Sequence, residues 1–146
     1  MQKAPELTGI TKWINSEPLK IQDLASSGKV VLIDFWTYSC VNCQNTMPHL
    51  IDWWEKYEKK GLVIIGVHTP EFEFEKKVEN VEKHVKRFGA KWPIAIDNDY
   101  KTWKAYKNEN WPGKHLIGKK GFIRFVHYGE GKYEETEEMI EGLLTE

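Results

Sequence analysis

Two cysteines three positions apart are the residues whose type and spacing most directly predict chemistry. Cys40 and Cys43 are the only cysteines among 146 residues, and they lie in the segment Trp36-Thr37-Tyr38-Ser39-Cys40-Val41-Asn42-Cys43. A small secreted scaffold would distribute several cysteines over its loops. The placement of both at one point therefore indicates a local thiol reaction.

The elements on either side of Cys40 explain why it would be reactive. The apolar run Val30 to Trp36 is typical of a strand buried on both faces, and apolar residues at helical spacing predict a helix from Val41 to Lys60. Unpaired N–H groups at the start of that helix stabilise a thiolate. We therefore expect a pKa of about 7 for Cys40, with Cys43 on the same helical face one turn deeper.

This arrangement is suited to disulfide exchange, in which Cys40 attacks a disulfide and Cys43 then releases the reduced product. A structural zinc site would need about four ligands, and a structural disulfide across so short a loop adds little stability. Two other functions stay open. Thr37 is placed as in a peroxidatic cysteine site, although Ile33 stands where such a site has a proline. The first is therefore a thiol peroxidase. The second is a non-catalytic module that uses the same fold to bind other proteins.

The remaining elements predict an α/β fold with one domain, residues 1–146. Strands and helices alternate, which predicts a mixed central sheet with helices on both faces and a helical insertion at about residues 70–89. The predicted elements after the first helix are a strand at Leu62–Val67, a long helix that starts at Thr69-Pro70 and ends at Gly89, a strand at Pro93–Ile96, a helix from Asp99 to about Lys107, strands at His115–Ile117 and Phe122–Tyr128, and a helix at Glu134–Leu144.

Composition excludes several kinds of partner. The 21 basic and 22 acidic side chains give a net charge of -1, so no bulk field would hold nucleic acid. No apolar run approaches the roughly 20 residues of a membrane span, and the start of the chain lacks a signal-peptide core. We expect a cytoplasmic monomer, or an extracytoplasmic protein if a preceding segment has been removed.

The ordered set of motifs resembles the thioredoxin superfamily, and more narrowly the TlpA-type thiol–disulfide oxidoreductases and the thioredoxin-like domain of DipZ proteins. The segments that carry the resemblance are Trp13 to Ser16, Phe35 to Cys43 with Pro48, Val67 to Phe72, Asp97 to Tyr100, Trp111-Pro112 and Gly129 to Gly131. The resemblance implies a thioredoxin-like fold and a reductase acting on disulfide-containing proteins. Electrons would be held as the Cys40–Cys43 disulfide, with no other cofactor or metal, and supplied by a thiol donor of unknown identity.

Asp34 is the first residue that the resemblance adds to the thiols. It lies inside an apolar strand, where desolvation raises the pKa of a carboxyl group. The resemblance implies that Asp34 accepts the proton of Cys43; the alternative is a carboxylate bonded to backbone at the sheet end. Thioredoxins often carry a lysine near this carboxylate in the strand corresponding to Leu62–Val67. This sequence has none there, so we expect its proton handling to differ.

Pro112 is the second residue that the resemblance adds to the thiols. The resemblance implies a cis-proline that faces the thiols and shapes the substrate groove, whereas a proline that merely begins an edge strand is the alternative. The backbone of Trp111 would be offered to an extended substrate. The residues predicted to bind substrate are Trp36, Tyr38, Ser39 and Trp111. His68 and Glu71 are candidates for tuning the thiols, unless the segment Thr69 to Glu71 simply starts a helix.

Overall fold

The central strand of the sheet is buried along its whole length and leads directly to the cysteines. A computed structural model describes residues 2–146. Its six strands follow the order β1-β4-β3-β2-β5-β6. The strands are β1 (Trp13–Ile14), β2 (Val30–Trp36), β3 (Leu62–His68), β4 (Ile94–Ile96), β5 (Gly113–Ile117) and β6 (Ile123–Tyr128). β2, β3 and β4 are parallel, and the other pairs are antiparallel.

Helices pack on both faces of this sheet and create two apolar cores. They are α1 (Ile21–Ser26), α2 (Val41–Tyr57), α3 (Val78–Phe88), α4 (Lys101–Ala105) and α5 (Tyr133–Leu144), with 3-10 turns at Glu58–Lys60 and Glu73–Lys76. Side chains alternate across β2, so that Leu32 and Trp36 join the core that contains Cys43, while Ile33 and Phe35 join the opposite one. This two-sided burial explains the unbroken apolar run of β2.

The mixed sheet, the active-site helix and the insertion between β3 and β4 are as predicted, but the start of the inserted helix is not. The sequence predicted that Thr69 would cap a helix beginning at Pro70. Instead, the Thr69 hydroxyl donates to Asp97 Oδ2 at 2.9 Å, and the extended backbone of Lys77 separates a short 3-10 turn from α3. Gly89 ends α3 in the left-handed conformation, as predicted.

Residues 2–29 contain two elements, β1 and α1, that local sequence patterns did not predict. β1 pairs antiparallel with β4 at the sheet edge. α1 is capped from a distance, because the Glu6 carboxylate accepts the N–H groups of Ile21 at 2.6 Å and Gln22 at 3.0 Å. A cap fifteen residues away leaves no local sequence signal. Among residues 2–146, no helix combines the length and apolar character needed to cross a membrane.

Candidate active site

Cys40 is positioned at the start of α2, four residues after the end of β2. It is the N-cap of the helix, and its Sγ accepts the N–H of Cys43 at 3.2 Å. The pKa of Cys40 is lowered to about 7, first by a hydrogen bond from the Cys43 thiol and then by the N–H groups of Cys43 and Asn42. Partial burial and the nearby Glu71 carboxylate oppose this shift. At neutral pH a large fraction of Cys40 is therefore thiolate.

Cys43 differs from its partner in exposure and in charge. It is only 2% exposed, whereas Cys40 is partly exposed, and both cysteines are free thiols in this structure. Burial is the largest cause that raises the pKa of Cys43 far above its ordinary value, and its hydrogen bond to Cys40 and the charge of Asp34 add to the increase. The pair thus consists of an outer nucleophile and an inner thiol that keeps its proton.

Asp34 lies beneath this pair in the sheet. Its side chain is buried, and burial raises the pKa of Asp34 to about 7, although Lys114 opposes the increase. Oδ1 of Asp34 has no hydrogen-bond partner among residues 2–146. The alternative of a carboxylate anchored to backbone therefore finds no support at this oxygen, and the group is close to half-ionised at neutral pH.

Lys114 is a member of the site that sequence reasoning missed. It is the cross-strand partner of Asp34 in the β2–β5 pair and is fully buried. Its Nζ has no hydrogen-bond partner in the described part of the chain and lies 5.6 Å from the centre of the Tyr133 ring. Burial lowers the pKa of Lys114, while Asp34 and Cys43 counteract the decrease. The resemblance predicts such a lysine in β3, whereas the chain supplies one from β5, and only the register of β5 against β2 reveals it.

A cleft of about 310 Å³ opens beside Cys40. The Trp111–Pro112 peptide bond is cis, as the resemblance implied. The indole N–H of Trp111 donates to the carbonyl of Thr69 at 2.8 Å, which fixes the ring as one wall of the cleft. Pro112 is buried next to that wall, immediately before β5, which neighbours β2 in the sheet. The lining residues are Ser39, Cys40, Val41, Asn42, Glu71, Asn110 and Trp111, so the structure brings Ser39, Glu71 and Trp111 together with the nucleophile.

Trp36 and Tyr38 were predicted to bind substrate, and this prediction is wrong because both side chains are buried. Trp36 is 1% exposed, with its ring 4.9 Å from that of His68. Tyr38 stacks on His84 at 4.1 Å, and its hydroxyl donates to the Phe74 carbonyl at 3.3 Å. The insertion between β3 and β4 covers both side chains, and the sequence pattern of β2 could not reveal that cover.

His68 lies behind the thiols rather than in the cleft. Its Nε2 accepts the N–H of Tyr38 at 3.3 Å and is 3.3 Å from the Thr37 hydroxyl. Burial lowers the pKa of His68 to about 4, so the ring is neutral at physiological pH. His68 therefore supports the turn that precedes Cys40 and does not add charge to it.

Glu75 is a second residue that the sequence did not signal. Its buried carboxylate accepts the Ser39 hydroxyl, the Ser39 N–H at 3.4 Å, the Glu71 N–H at 2.8 Å and the Phe72 N–H at 3.0 Å. Burial by itself would raise the pKa of Glu75, but these hydrogen bonds outweigh it and hold the pKa below the ordinary value. The carboxylate thus fastens the insertion to the residue that precedes the nucleophile.

No group of three or more histidine, cysteine or acidic side chains within residues 2–146 is arranged to hold a metal ion.

A mixed sheet, a dithiol at the start of the helix after its central strand and a cis-proline before the neighbouring strand define a protein of the thioredoxin-like class. The chain belongs to the AhpC/TSA family, whose model matches residues 1–126. A solved thioredoxin-like superfamily protein superposes with a TM-score of 0.90 at 26% identity, covering 100% of this chain and 98% of that one.

Two curated relatives refine this placement. The chain is 49% identical over 144 residues to the protein DipZ of Mycobacterium tuberculosis, covering 98% of this chain but only 21% of DipZ. It is 31% identical over 131 residues to the thiol-disulfide oxidoreductase ResA of Bacillus cereus, covering 90% of this chain and 69% of ResA. The chain thus spans about a fifth of the length of DipZ.

Proposed function

We propose that this chain reduces disulfide bonds in other proteins through Cys40 and Cys43. The observation that carries the proposal is the contrast within the pair: the pKa of Cys40 is lowered to about 7 beside an open cleft, whereas that of the buried Cys43 is raised. The relatives that are named thiol-disulfide oxidoreductases support it. The cysteine pair itself carries the two electrons.

In the first step, the Cys40 thiolate attacks one sulfur of the substrate disulfide. A bond forms between Cys40 and that sulfur, the substrate disulfide breaks, and the other substrate sulfur leaves as a thiolate that takes a proton from water. The cleft beside Trp111 accommodates the substrate while it is attached. Since the thiolate form of Cys40 is the nucleophile, this step accelerates as pH rises through about 7.

In the second step, Cys43 transfers its proton to Asp34 and attacks Cys40. The Cys40–Cys43 disulfide forms, the mixed disulfide breaks, and the substrate is released with both sulfurs reduced. Asp34 is suited to this transfer because its pKa of about 7 lies near neutral pH, and it then returns the proton to solvent. A thiol donor restores the two free cysteines for the next turnover.

The function is tested by the rate at which dithiothreitol reduces insulin. Wild-type protein should accelerate the reaction, and the Cys40→Ser variant should not. A stopped-flow measurement with hydrogen peroxide separates this function from that of a peroxidase, since an ordinary dithiol reacts slowly. Equal insulin rates for the two proteins would exclude catalysis, and rapid oxidation of Cys40 by peroxide would favour the peroxidase.

A further inference from the structure

Two phenylalanines project from the insertion beside the active site. Phe72 is 51% exposed and Phe74 is 57% exposed, and their rings are stacked with centroids 5.6 Å apart and planes 5° from parallel. With Val41 and Val126 they are the exposed large hydrophobic residues of the described chain. Grouped apolar side chains on a polar surface are typical of interaction sites.

Hydrogen bonds join this segment, residues 71–76 (the Phe turn), to the residues that precede Cys40. Glu75 accepts hydrogen bonds from Ser39 on one side and from the Phe72 N–H on the other. The Tyr38 hydroxyl donates to the carbonyl of Phe74. These bonds fix the two phenyl rings relative to Cys40, which directly follows Ser39.

The Phe turn also adjoins the Cys40 cleft through its first residue. Glu71, at the start of the turn, lines that cleft, and Val41, which lines it as well, is 65% exposed. Since Glu71 directly precedes Phe72, a substrate that extends from Cys40 along this lining residue is led to the phenyl rings. An extended chain advances about 3.3 Å per residue, so three residues beyond the substrate cysteine reach about 10 Å along this surface.

The charges of the turn constrain the occupant. Glu73 pairs with Lys76 at 3.3 Å, whereas the Glu71 carboxylate has no ion-pair partner among residues 2–146. An acidic group near the attacked disulfide would be repelled by Glu71, and a basic group would be attracted.

We propose that the Phe turn docks the extended polypeptide that flanks the disulfide attacked by Cys40. The recognised segment presents an apolar or aromatic side chain to Phe72 and Phe74, and a basic side chain to Glu71, a few residues from its cysteine. The proposal rests on the proposed function and specifies its substrate class as exposed, partly apolar and basic protein segments.

The test compares disulfide-linked dimers of short peptides with bis(2-hydroxyethyl) disulfide, which is too small to reach the turn. Three peptides carry Phe and Lys, Ala and Lys, or Phe and Glu near the cysteine. For the wild-type protein we expect kcat/KM to be about tenfold higher for the Phe-Lys peptide than for either of the others, which corresponds to about 1.4 kcal/mol. Similar values for all three peptides would overturn the proposal without the need for any variant.

Variants then assign the preference to residues. In Phe72→Ser/Phe74→Ser, the ratio of kcat/KM for the Phe-Lys peptide to that for the small disulfide should fall about tenfold. In Glu71→Lys, the preference for Lys over Glu in the peptide should reverse. The matched control is Val126→Ser, because Val126 is an exposed apolar residue on β6 outside the cleft, and its ratio should stay within twofold of wild type.

Ratios taken within each variant cancel any change in the reactivity of Cys40. A fall in the Val126→Ser ratio equal to that of the double variant would contradict docking at the Phe turn. If wild-type protein reduces the small disulfide but shows no peptide preference, only the docking proposal fails. If it reduces none of the disulfides, the proposed function fails with it.

Discussion

Asp34 and Lys114 are two ionisable side chains buried side by side beneath Cys43. Burial disfavours the charged form of each, and each favours the charged form of the other. Neither Asp34 Oδ1 nor Lys114 Nζ has a hydrogen-bond partner in the described chain. The attraction between their opposite charges is therefore the main interaction that offsets the cost of desolvating them. The proton on Asp34 is therefore sensitive to small changes nearby.

Asp34→Asn should remove a pH-dependent loss of stability. The pKa of Asp34 is raised from 3.8 to about 7 on folding, so between these values the folded state holds a proton that the unfolded state has lost. The contribution of Asp34 to the free energy of unfolding therefore falls as pH rises from about 4 to about 7, by on the order of 4 kcal/mol. Urea unfolding of both proteins at pH 4 and pH 8 measures the difference.

The buried histidines titrate equally in both proteins, so the comparison reports Asp34 together with the charge pair that it forms with Lys114. We expect Asp34→Asn to gain stability relative to wild type at pH 8 and not at pH 4. An unchanged difference between the two proteins at the two pH values would contradict a raised pKa for Asp34.

Lys114→Met should raise the pKa of Asp34 above about 7, because the lysine is the charge that lowers it. Since less Asp34 is then ionised at neutral pH, release of a trapped mixed disulfide by Cys43 should be several-fold slower at pH 7 and should recover at higher pH. The pKa is read from the carboxyl ¹³C chemical shift of Asp34. Lys91→Met, at an exposed lysine, is the matched control, and an identical pH profile for Lys114→Met and wild type would exclude the coupling.

At the scale of elements, β3 passes close to two tryptophans at Gly66, which pairs with Asp34 in the neighbouring strand. A Cβ at Gly66 would lie 2.8 Å from Ile94 Cδ1, 2.9 Å from Trp36 Nε1 and 3.3 Å from Trp92 Nε1, all in the core. Such overpacking typically costs about 1–3 kcal/mol. The sheet beside the thiols therefore depends on the absence of a side chain at this position.

Gly66→Ala should lower the free energy of unfolding by about 1–3 kcal/mol, as measured by urea denaturation. Gly142→Ala is the matched control, since Gly142 lies in α5 and a Cβ there meets nothing within 4 Å. Alanine should stabilise that helix by up to about 1 kcal/mol. A Gly66→Ala protein as stable as wild type would contradict close packing of the core around Gly66.

The same elements show which features of the site the sequence could predict and which it could not. The buried run of β2 and the helical spacing of α2 are local patterns, so they placed Cys40 and Cys43 correctly at a helix start. Lys114 and Glu75 act through contacts between distant segments, namely strand register and a folded-back insertion. No local pattern encodes such contacts, and the burial of Trp36 and Tyr38 was missed for the same reason.

At the scale of the whole molecule, the reduction potential sets the direction of electron flow. The pKa of Cys40, about 7, is close to that of the nucleophilic cysteine in thioredoxin, also about 7, and well above the 3.5 of strong oxidants. A thiolate that is only moderately stabilised does not strongly favour the reduced form. This electrostatic balance supports a reductase.

We therefore expect the Cys40–Cys43 couple to have a reduction potential nearer to about −270 mV than to about −120 mV. Equilibration with a stable dithiol of known potential, followed by quantification of free thiols, gives the value. A potential near −120 mV would indicate that the protein oxidises its partners.

The most direct test is the rate at which Cys40 is alkylated by iodoacetamide as a function of pH, with Cys43→Ala as a background check on which sulfur reacts. In the wild-type protein, the rate should rise with an apparent pKa near 7, and mass spectrometry should find the label on Cys40. If Cys40 stays unreactive until above pH 9, or if the label is found first on Cys43, the outer thiolate on which the mechanism depends does not exist.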